Sequence, residues 1–307
     1  MARNLGSLAG TFALWCTTLC VGQTTGISGT ALVQTRLIET ATSIGTAFTI
    51  EVDKREYWIT AKHIITGIEA GPPGLVNTKT VVANLLLPYS RRDEAQEKRW
   101  QTVRFTVIDP GKDIDILVLA PERPVATLLP PDSMKAASDT NPNDVNALVP
   151  IGGDCEFLGY PYGGSWKAST PGSRNKSPSP TDGWFWSPFA KRCMLSGTMV
   201  KNGVTIFVLD GINNLGFSGG PVIIGRGAST QVFAVVSGFH PEPLEVLSAP
   251  DPAQPYVSPL PPPPALPGQK ATPARKQIVE SNSGLILAYD ITPAIRAIRA
   301  HPIGPSH

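Results

Sequence analysis

Charge is scarce in this chain. Asp, Glu, Lys and Arg make up 16% of its 307 residues, and the formal net charge is +2. So small a balance excludes a charge-driven grip on nucleic acid or on an anionic membrane, and no nucleic-acid motif is present. The short basic clusters Arg91-Arg92 and Lys98-Arg99 read as a solvated loop. Histidine is equally sparse: four residues with no metal-ligand spacing, so no metal or other cofactor is expected, and His240 reads as a surface residue. Cysteine occurs four times. Cys16 and Cys20 fall in an apolar N-terminal stretch, which leaves Cys155 and Cys193 as one pair, bridged or free. What the chain has in quantity is apolar residues, 41%, with 31 prolines and 29 glycines. That is enough to bury a substantial core, with much turn and loop around it.

The N-terminus carries its own signal. One positive charge in Met1–Asn4 precedes the largely apolar, small-residue run Leu5–Val21, which predicts a signal peptide over 1–22 and an exported mature chain, periplasmic or extracellular. Leu19 stands before Cys20 where a lipoprotein signal has a small residue. At the other end, Thr292-Pro293 offers an N-cap and a first-turn proline, Ile295 and Ile298 share a face, and Pro302 stops the helix. This helix is too short to span a bilayer, and no stable membrane insertion of the mature chain is expected. Pro121–Asn146 and Gly163–Pro188 read as a connection and a long surface loop. Pro241–Lys276, with four prolines at Pro261–Pro264, reads as polyproline II or disordered chain.

The most informative stretch is Gly216-Phe217-Ser218-Gly219-Gly220-Pro221. Small neighbours expose a hydroxyl on a tight turn, and the backbone N–H groups around it can converge on a developing negative charge. A hydroxyl is a weak nucleophile, so this chemistry requires a base and a carboxylate that orients it. Both occur upstream. Ile44–Ile50 alternates like a strand, Asp53-Lys54-Arg55 turns it, and Tyr57–Thr60 returns, ending in Ala61-Lys62-His63. Val103–Ile108 reads as a further strand, Asp109–Lys112 as a turn, and Asp113–Leu119 as a strand entered through acidic residues.

On these residues the chain resembles the chymotrypsin-like serine endopeptidases, and within them the bacterial HtrA/Deg-type branch. Gly45-Thr46-Ala47-Phe48 and Thr60-Ala61-Lys62-His63 are similar to that family's Gly-Thr-Gly-Phe and Thr-Ala-Ala-His segments. Asp115–Leu119 resembles its Asp-Ile-Ala-Val-Leu strand, Cys155–Pro161 its Gly-Tyr-Pro strand, and Ser283–Tyr289 its last strand. The resemblance implies an all-β fold of two antiparallel six-stranded β-barrels with a C-terminal helix. The first barrel is expected over 30–125, a connection over 126–146, and the second barrel over 147–301, with the Pro-rich insertion at 241–276. It also implies a serine endopeptidase with His63, Asp115 and Ser218 as triad and the N–H groups of Gly216 and Ser218 as oxyanion hole. Protein or peptide is the expected substrate. Asp113 also fits the acid's motif, but that alignment would bury Asp115 without a partner, so Asp115 is preferred.

The family's primary pocket maps onto Ile212, Ser237, Gly238, Phe239 and Gly284. With Ile212 where a basic-specific enzyme has an acid, an apolar side chain is the expected preference. The Pro-rich insertion would lie near the cleft, where it is a tolerated excursion, a gate, or a handle for a partner. Phe217 stands where digestive members carry an aspartate that pairs with a newly cleaved N-terminus, so activation through that salt bridge is not available. A trailing PDZ module is not expected. Two other readings compete. An α/β-hydrolase elbow also satisfies Gly-x-Ser-x-Gly, but it needs a helix after the serine, whereas Gly219–Ile224 reads as turn then strand. A peptide-binding protein that has lost hydrolysis is the second, with Phe217 as the altered residue.

Overall fold

The computed structural model describes residues 29–67, 74–86, 100–125, 134–137, 149–164, 187–225, 229–247 and 276–306. The expected signal peptide, both basic clusters and the proline run 261–264 lie outside the described residues.

A short helix α1 (Gly29–Gln34) leads into six strands: β1 (Thr35–Glu39), β2 (Ile44–Val52), β3 (Arg55–Thr60), β4 (Thr80–Leu86), β5 (Trp100–Ile108) and β6 (Leu117–Pro121). They close into an antiparallel barrel in the order β1-β2-β3-β6-β5-β4. The β2–β3 hairpin forms because Asp53 and Lys54, at φ 51° and 61°, supply the two left-handed residues that match the twist of its strands. The five-residue helix α2 (Lys62–Thr66) follows β3 directly and carries His63.

The second barrel is built from β8 (Asp154–Gly159), β9 (Phe189–Lys201), β10 (Val204–Asp210), β11 (Pro221–Ile224), β12 (Gln231–Leu247) and β13 (Lys276–Asp290). Its order is β11-β8-β9-β10-β13-β12, closed by β11 against β12. Two residues expected to lie in the connection, Lys135–Ala136, form a short strand β7 parallel to β12. The fold is therefore two closed six-stranded antiparallel barrels with a C-terminal helix, α3 (Thr292–Ala300).

Central strands lose the alternation of a half-solvated sheet because both of their faces are buried. In β3, Trp58 points into the first barrel with Phe105, Leu117 and Leu119, while Tyr57 and Ile59 join a second core. That second core holds Phe48, Ile50 and Val118 of the first barrel, Val232 and Val235 of the second, and Ile295 and Ile298 of α3, so it glues barrel to barrel. The second barrel's own interior is aromatic, with Phe157, Phe207, Phe217 and Phe233. The helix begins differently from the expected cap: Ile291 occupies the N-cap position and the Asp290 carboxylate accepts the Thr292 N–H at 2.9 Å. Burial pushes that carboxyl's pKa up, while its bonds to Thr292 pull it down.

The Pro-rich insertion starts later than its composition predicts. Strands β12 and β13 stay paired from Pro241↔Asn282 to Leu247↔Lys276, and 248–275 lie outside the described residues. Pro241 and Pro243 both lie within this paired stretch, opposite Asn282 and Glu280, two residues apart and so on the same side of the ladder alternation. Cys155 and Cys193 sit opposite each other on β8 and β9 as free thiols, their sulfurs 2.9 Å apart. The hydrogen bond between them and burial push the Cys193 thiol's pKa up.

Candidate active site

Strand ends deliver the site. His63 sits in the first turn of α2, immediately beyond β3, and Asp115 lies in the turn before β6, which pairs with β3. The expected strand over Asp113–Leu119 begins only at Leu117. The preceding residues are held out of the sheet by their partners. Asp115's carbonyl accepts the Lys62 N–H at 3.4 Å, and its carboxylate oxygen Oδ1 accepts the His63 N–H at 3.0 Å.

Asp115 Oδ2 lies 2.7 Å from His63 Nδ1 and accepts the Ser237 hydroxyl at 2.5 Å. A carboxylate facing a ring nitrogen accepts, so the hydrogen is assigned to Nδ1 and Nε2 is left with its lone pair. The other acid is elsewhere: Asp113 accepts from the exposed Asn202 Nδ2 at 3.0 Å.

Ser218 joins the site through Ser237, whose carbonyl accepts the Ser218 hydroxyl at 2.9 Å. Among the described residues no hydrogen bond links Ser218 to His63. A rotation about χ1 redirects the hydroxyl, and such contacts commonly tighten only with substrate in place.

The turn around Ser218 is fixed on all sides. Thr46 of the first barrel donates its N–H to the Ser218 carbonyl at 2.9 Å and its hydroxyl to the Gly216 carbonyl at 2.6 Å. Gly219 N–H bonds the Val236 carbonyl at 2.7 Å, and Gly220 N–H bonds the Phe217 carbonyl at 2.8 Å. Gly219, at φ 85°, must be glycine because a β-carbon there would strike the Thr46 carbonyl and the Thr60 hydroxyl.

Two peptide planes set the directions of the Gly216 and Ser218 N–H groups. In a trans peptide the N–H points opposite to the C=O. The Leu215 carbonyl accepts the Tyr162 N–H at 2.6 Å, so the Gly216 N–H of the same plane faces the other way. The Phe217 carbonyl is held by Gly220, so the Ser218 N–H is likewise directed away from it. Neither Gly216 N–H nor Ser218 N–H has an acceptor among the described residues. Gly216 reaches this orientation at φ 99°, a conformation that disfavours any side chain.

The expected pocket residues have mixed roles. Ile212 is 65% exposed, and its loop is tied to β13 by Gly211 N–H on the Gly284 carbonyl at 2.8 Å and by Asn282 on the Asn213 carbonyl. Gly238 has open space where a side chain would be. Phe239 pairs through its backbone with Ile286, and its side chain lies outside the described residues, as does that of His240. Ser237 was expected as pocket wall, yet its hydroxyl serves Asp115. Three further residues had no mark in the sequence analysis as site residues. Thr46 was read only as part of a hairpin, and Asn214 and Tyr162 were not singled out. Among the described residues no cluster of His, Cys, Asp and Glu could hold a metal, and no helix is long and apolar enough to cross a membrane.

Comparison with protein-family models finds no match, and comparison with curated proteins finds none. Among solved structures, the chain is similar to the HtrA-type protease AlgW with tripeptide, at 13% identity over 89% of this chain and 61% of that one, with a TM-score of 0.47. It is similar to Deg5 at 17% identity, over 68% of this chain and 80% of that one, with a TM-score of 0.39. It is also similar to the protease Anisep from Arthrobacter nicotinovorans at 14% identity, over 69% of this chain and 87% of that one, with a TM-score of 0.37. The present chain spans about three-fifths of the length of the AlgW structure.

Proposed function

We propose that the protein is a serine endopeptidase that cleaves peptide bonds through an acyl-enzyme. The observation that carries this reading is the chain of contacts His63 Nδ1–Asp115 Oδ2–Ser237–Ser218, at 2.7, 2.5 and 2.9 Å, beside two backbone N–H groups left without acceptors. His63 Nε2 takes the proton from the Ser218 hydroxyl as its oxygen attacks the substrate carbonyl carbon. The C=O electron pair moves onto oxygen, where the Gly216 and Ser218 N–H groups receive it, a stabilisation worth about 3 kcal/mol per donor. The same proton then passes from the imidazolium to the leaving amine as the C–N bond breaks. Water, deprotonated by His63, releases the acyl group and restores the serine. Asp115 keeps the imidazole in the productive tautomer and stabilises its cation.

The primary pocket is read as apolar, between Ile212, Gly238 and Gly284. None of these three residues offers a carboxylate to a Lys or Arg side chain. Export through the 1–22 segment completes this reading, which makes the substrate an extracytoplasmic protein or peptide.

Labelling by a fluorophosphonate probe tests the chemistry. The expected outcome is stoichiometric labelling of the intact chain, lost in Ser218→Ala and in His63→Ala. A folded wild-type protein that takes no label would reassign the chain to peptide binding without cleavage. A peptide library read by mass spectrometry tests the pocket: cleavage is expected after apolar residues, and faster cleavage after Arg or Lys would overturn that assignment.

A further inference from the structure

Phe217 cannot make a salt bridge, so something else must hold the loop that precedes the nucleophile. The residue placed to do so is Lys191, on β9. An ammonium has three hydrogens to donate. One goes to the Ile212 carbonyl at 2.8 Å and one to Asn214 Oδ1 at 2.5 Å. The nitrogen also lies 5.1 Å from the centroid of the Phe217 ring, within cation–π range. Phe217 is completely buried and is itself set edge-on against Phe157, with ring centroids 5.1 Å apart. The cation is thus satisfied by a carbonyl, an amide oxygen and a ring, with no carboxylate in the set.

The contacts continue to the anion-binding plane. Asn214 Nδ2 donates to the Tyr162 hydroxyl at 3.0 Å, and Tyr162 N–H holds the Leu215 carbonyl at 2.6 Å. Tyr162 sits at φ 53°, left-handed backbone that is unfavourable for a bulky residue and persists only where surroundings over-determine it. Its grip on residues 214 and 215 is such a surrounding. If the Leu215 carbonyl were released, the 215–216 plane could rotate and take the Gly216 N–H out of position.

We propose that Lys191, Asn214 and Tyr162 form a carboxylate-free brace that fixes the Leu215–Gly216 peptide plane and so preforms the anion-binding N–H. Lys191 is a positioning residue: it touches the loop, and the loop touches the substrate. The proposal rests on the acyl-transfer reading above. It adds that the site is ready without any N-terminal cleavage, because the positive charge that steadies the loop comes from within the second barrel.

The experiment compares wild type with Lys191→Met, Lys191→Arg and Asn214→Ala, using Arg192→Met as control. Arg192 pairs with Asp154 at 3.0 Å on the exposed surface, where both side chains are more than two-thirds accessible. For Lys191→Met, kcat is expected to fall roughly 10- to 100-fold, part of the loss seen when an oxyanion donor is removed outright, with KM changed by less than about threefold. Affinity for a peptide boronic acid, which draws on the same N–H groups, should fall in parallel with kcat/KM. Lys191→Arg, which keeps the charge and can stack on Phe217, should recover most of the loss. Hydrogen exchange of the peptide spanning Ile212–Gly216 should quicken at least tenfold in Lys191→Met and Asn214→Ala, and not in Arg192→Met. Unchanged kcat and exchange, or a loss explained by a lowered melting temperature and not recovered by Arg, would overturn the brace. If Lys191→Met does not fold, Asn214→Ala decides by the same readouts. Should the wild type take no fluorophosphonate label, the acyl-transfer reading fails, and exchange alone judges whether the brace exists.

Discussion

The two barrels hold their parts of the site by different chemistry. In the first, the side chain of Lys62 is 1% exposed, and its ammonium meets the Asp109 carboxylate at 2.8 Å, the Gly111 carbonyl at 2.7 Å and the Gly74 carbonyl at 3.1 Å. Asp109 also accepts the Val76 N–H at 2.8 Å. One buried ion pair therefore locks α2, which carries His63, to the turn that leads into Asp115. In the second barrel the loop before Ser218 is held by a carbonyl, an amide oxygen and a ring around Lys191. The difference teaches that a buried charge pair can join two segments distant in the chain, whereas an ammonium with no carboxylate partner can still order a single loop.

Four substitutions sharpen this contrast. The largest effect is expected from Asp115→Asn, which presents an N–H to His63 and favours the wrong tautomer. Its kcat should fall about 10⁴-fold with the fold intact by circular dichroism. Asp113→Asn, on the surface, should stay within about twofold of wild type, and the reverse order would exchange the roles of the two acids. Next comes Lys62→Met. Removing one partner of a buried pair strands the Asp109 charge and should destabilise the protein by about 3–5 kcal/mol, read by denaturant unfolding. A near-wild-type midpoint would mean that the first barrel does not depend on this ion pair. The smallest is Thr46→Val, which deletes a hydroxyl that donates to the Gly216 carbonyl at 2.6 Å and accepts the Tyr160 N–H at 3.1 Å. The expected cost is about 1–3 kcal/mol, with kcat reduced more than KM is raised. Loss confined to KM would place Thr46 outside the orientation of the nucleophile's turn.

Legibility in the sequence followed the range of the forces involved. The β2–β3 hairpin could be read because alternation and the Asp53-Lys54 turn are local. The start of β6 could not, since Asp113–Ile116 have strand composition but are drawn out of the sheet by Lys62 and His63, some fifty residues away in the chain. Pro241 and Pro243 suggested irregular chain, yet the long pairing of β12 with β13 carries both prolines in register. The order His63, Asp115, Ser218 was visible through motif resemblance, whereas Ser237's bond to Asp115 was hidden because a serine in a strand carries no mark of its acceptor. Lys191 was hidden for a related reason: a lysine among alternating residues reads as a solvated face, and only the fold reveals an oxygen-lined, ring-backed niche around it.

Thr46 and Gly216 are separated by 170 residues, and the hydroxyl-to-carbonyl bond between them gives the site a history as well as a shape. Closing so long a loop is entropically costly and comes late, after local hairpins have formed. During synthesis the strands of the first barrel, with His63 and Asp115, emerge long before residue 218 exists. The turn bearing the hydroxyl then settles against Thr46 as the halves dock. A chain still being made, or a severed half, therefore lacks the finished turn and does not bring Ser218 together with His63 and Asp115.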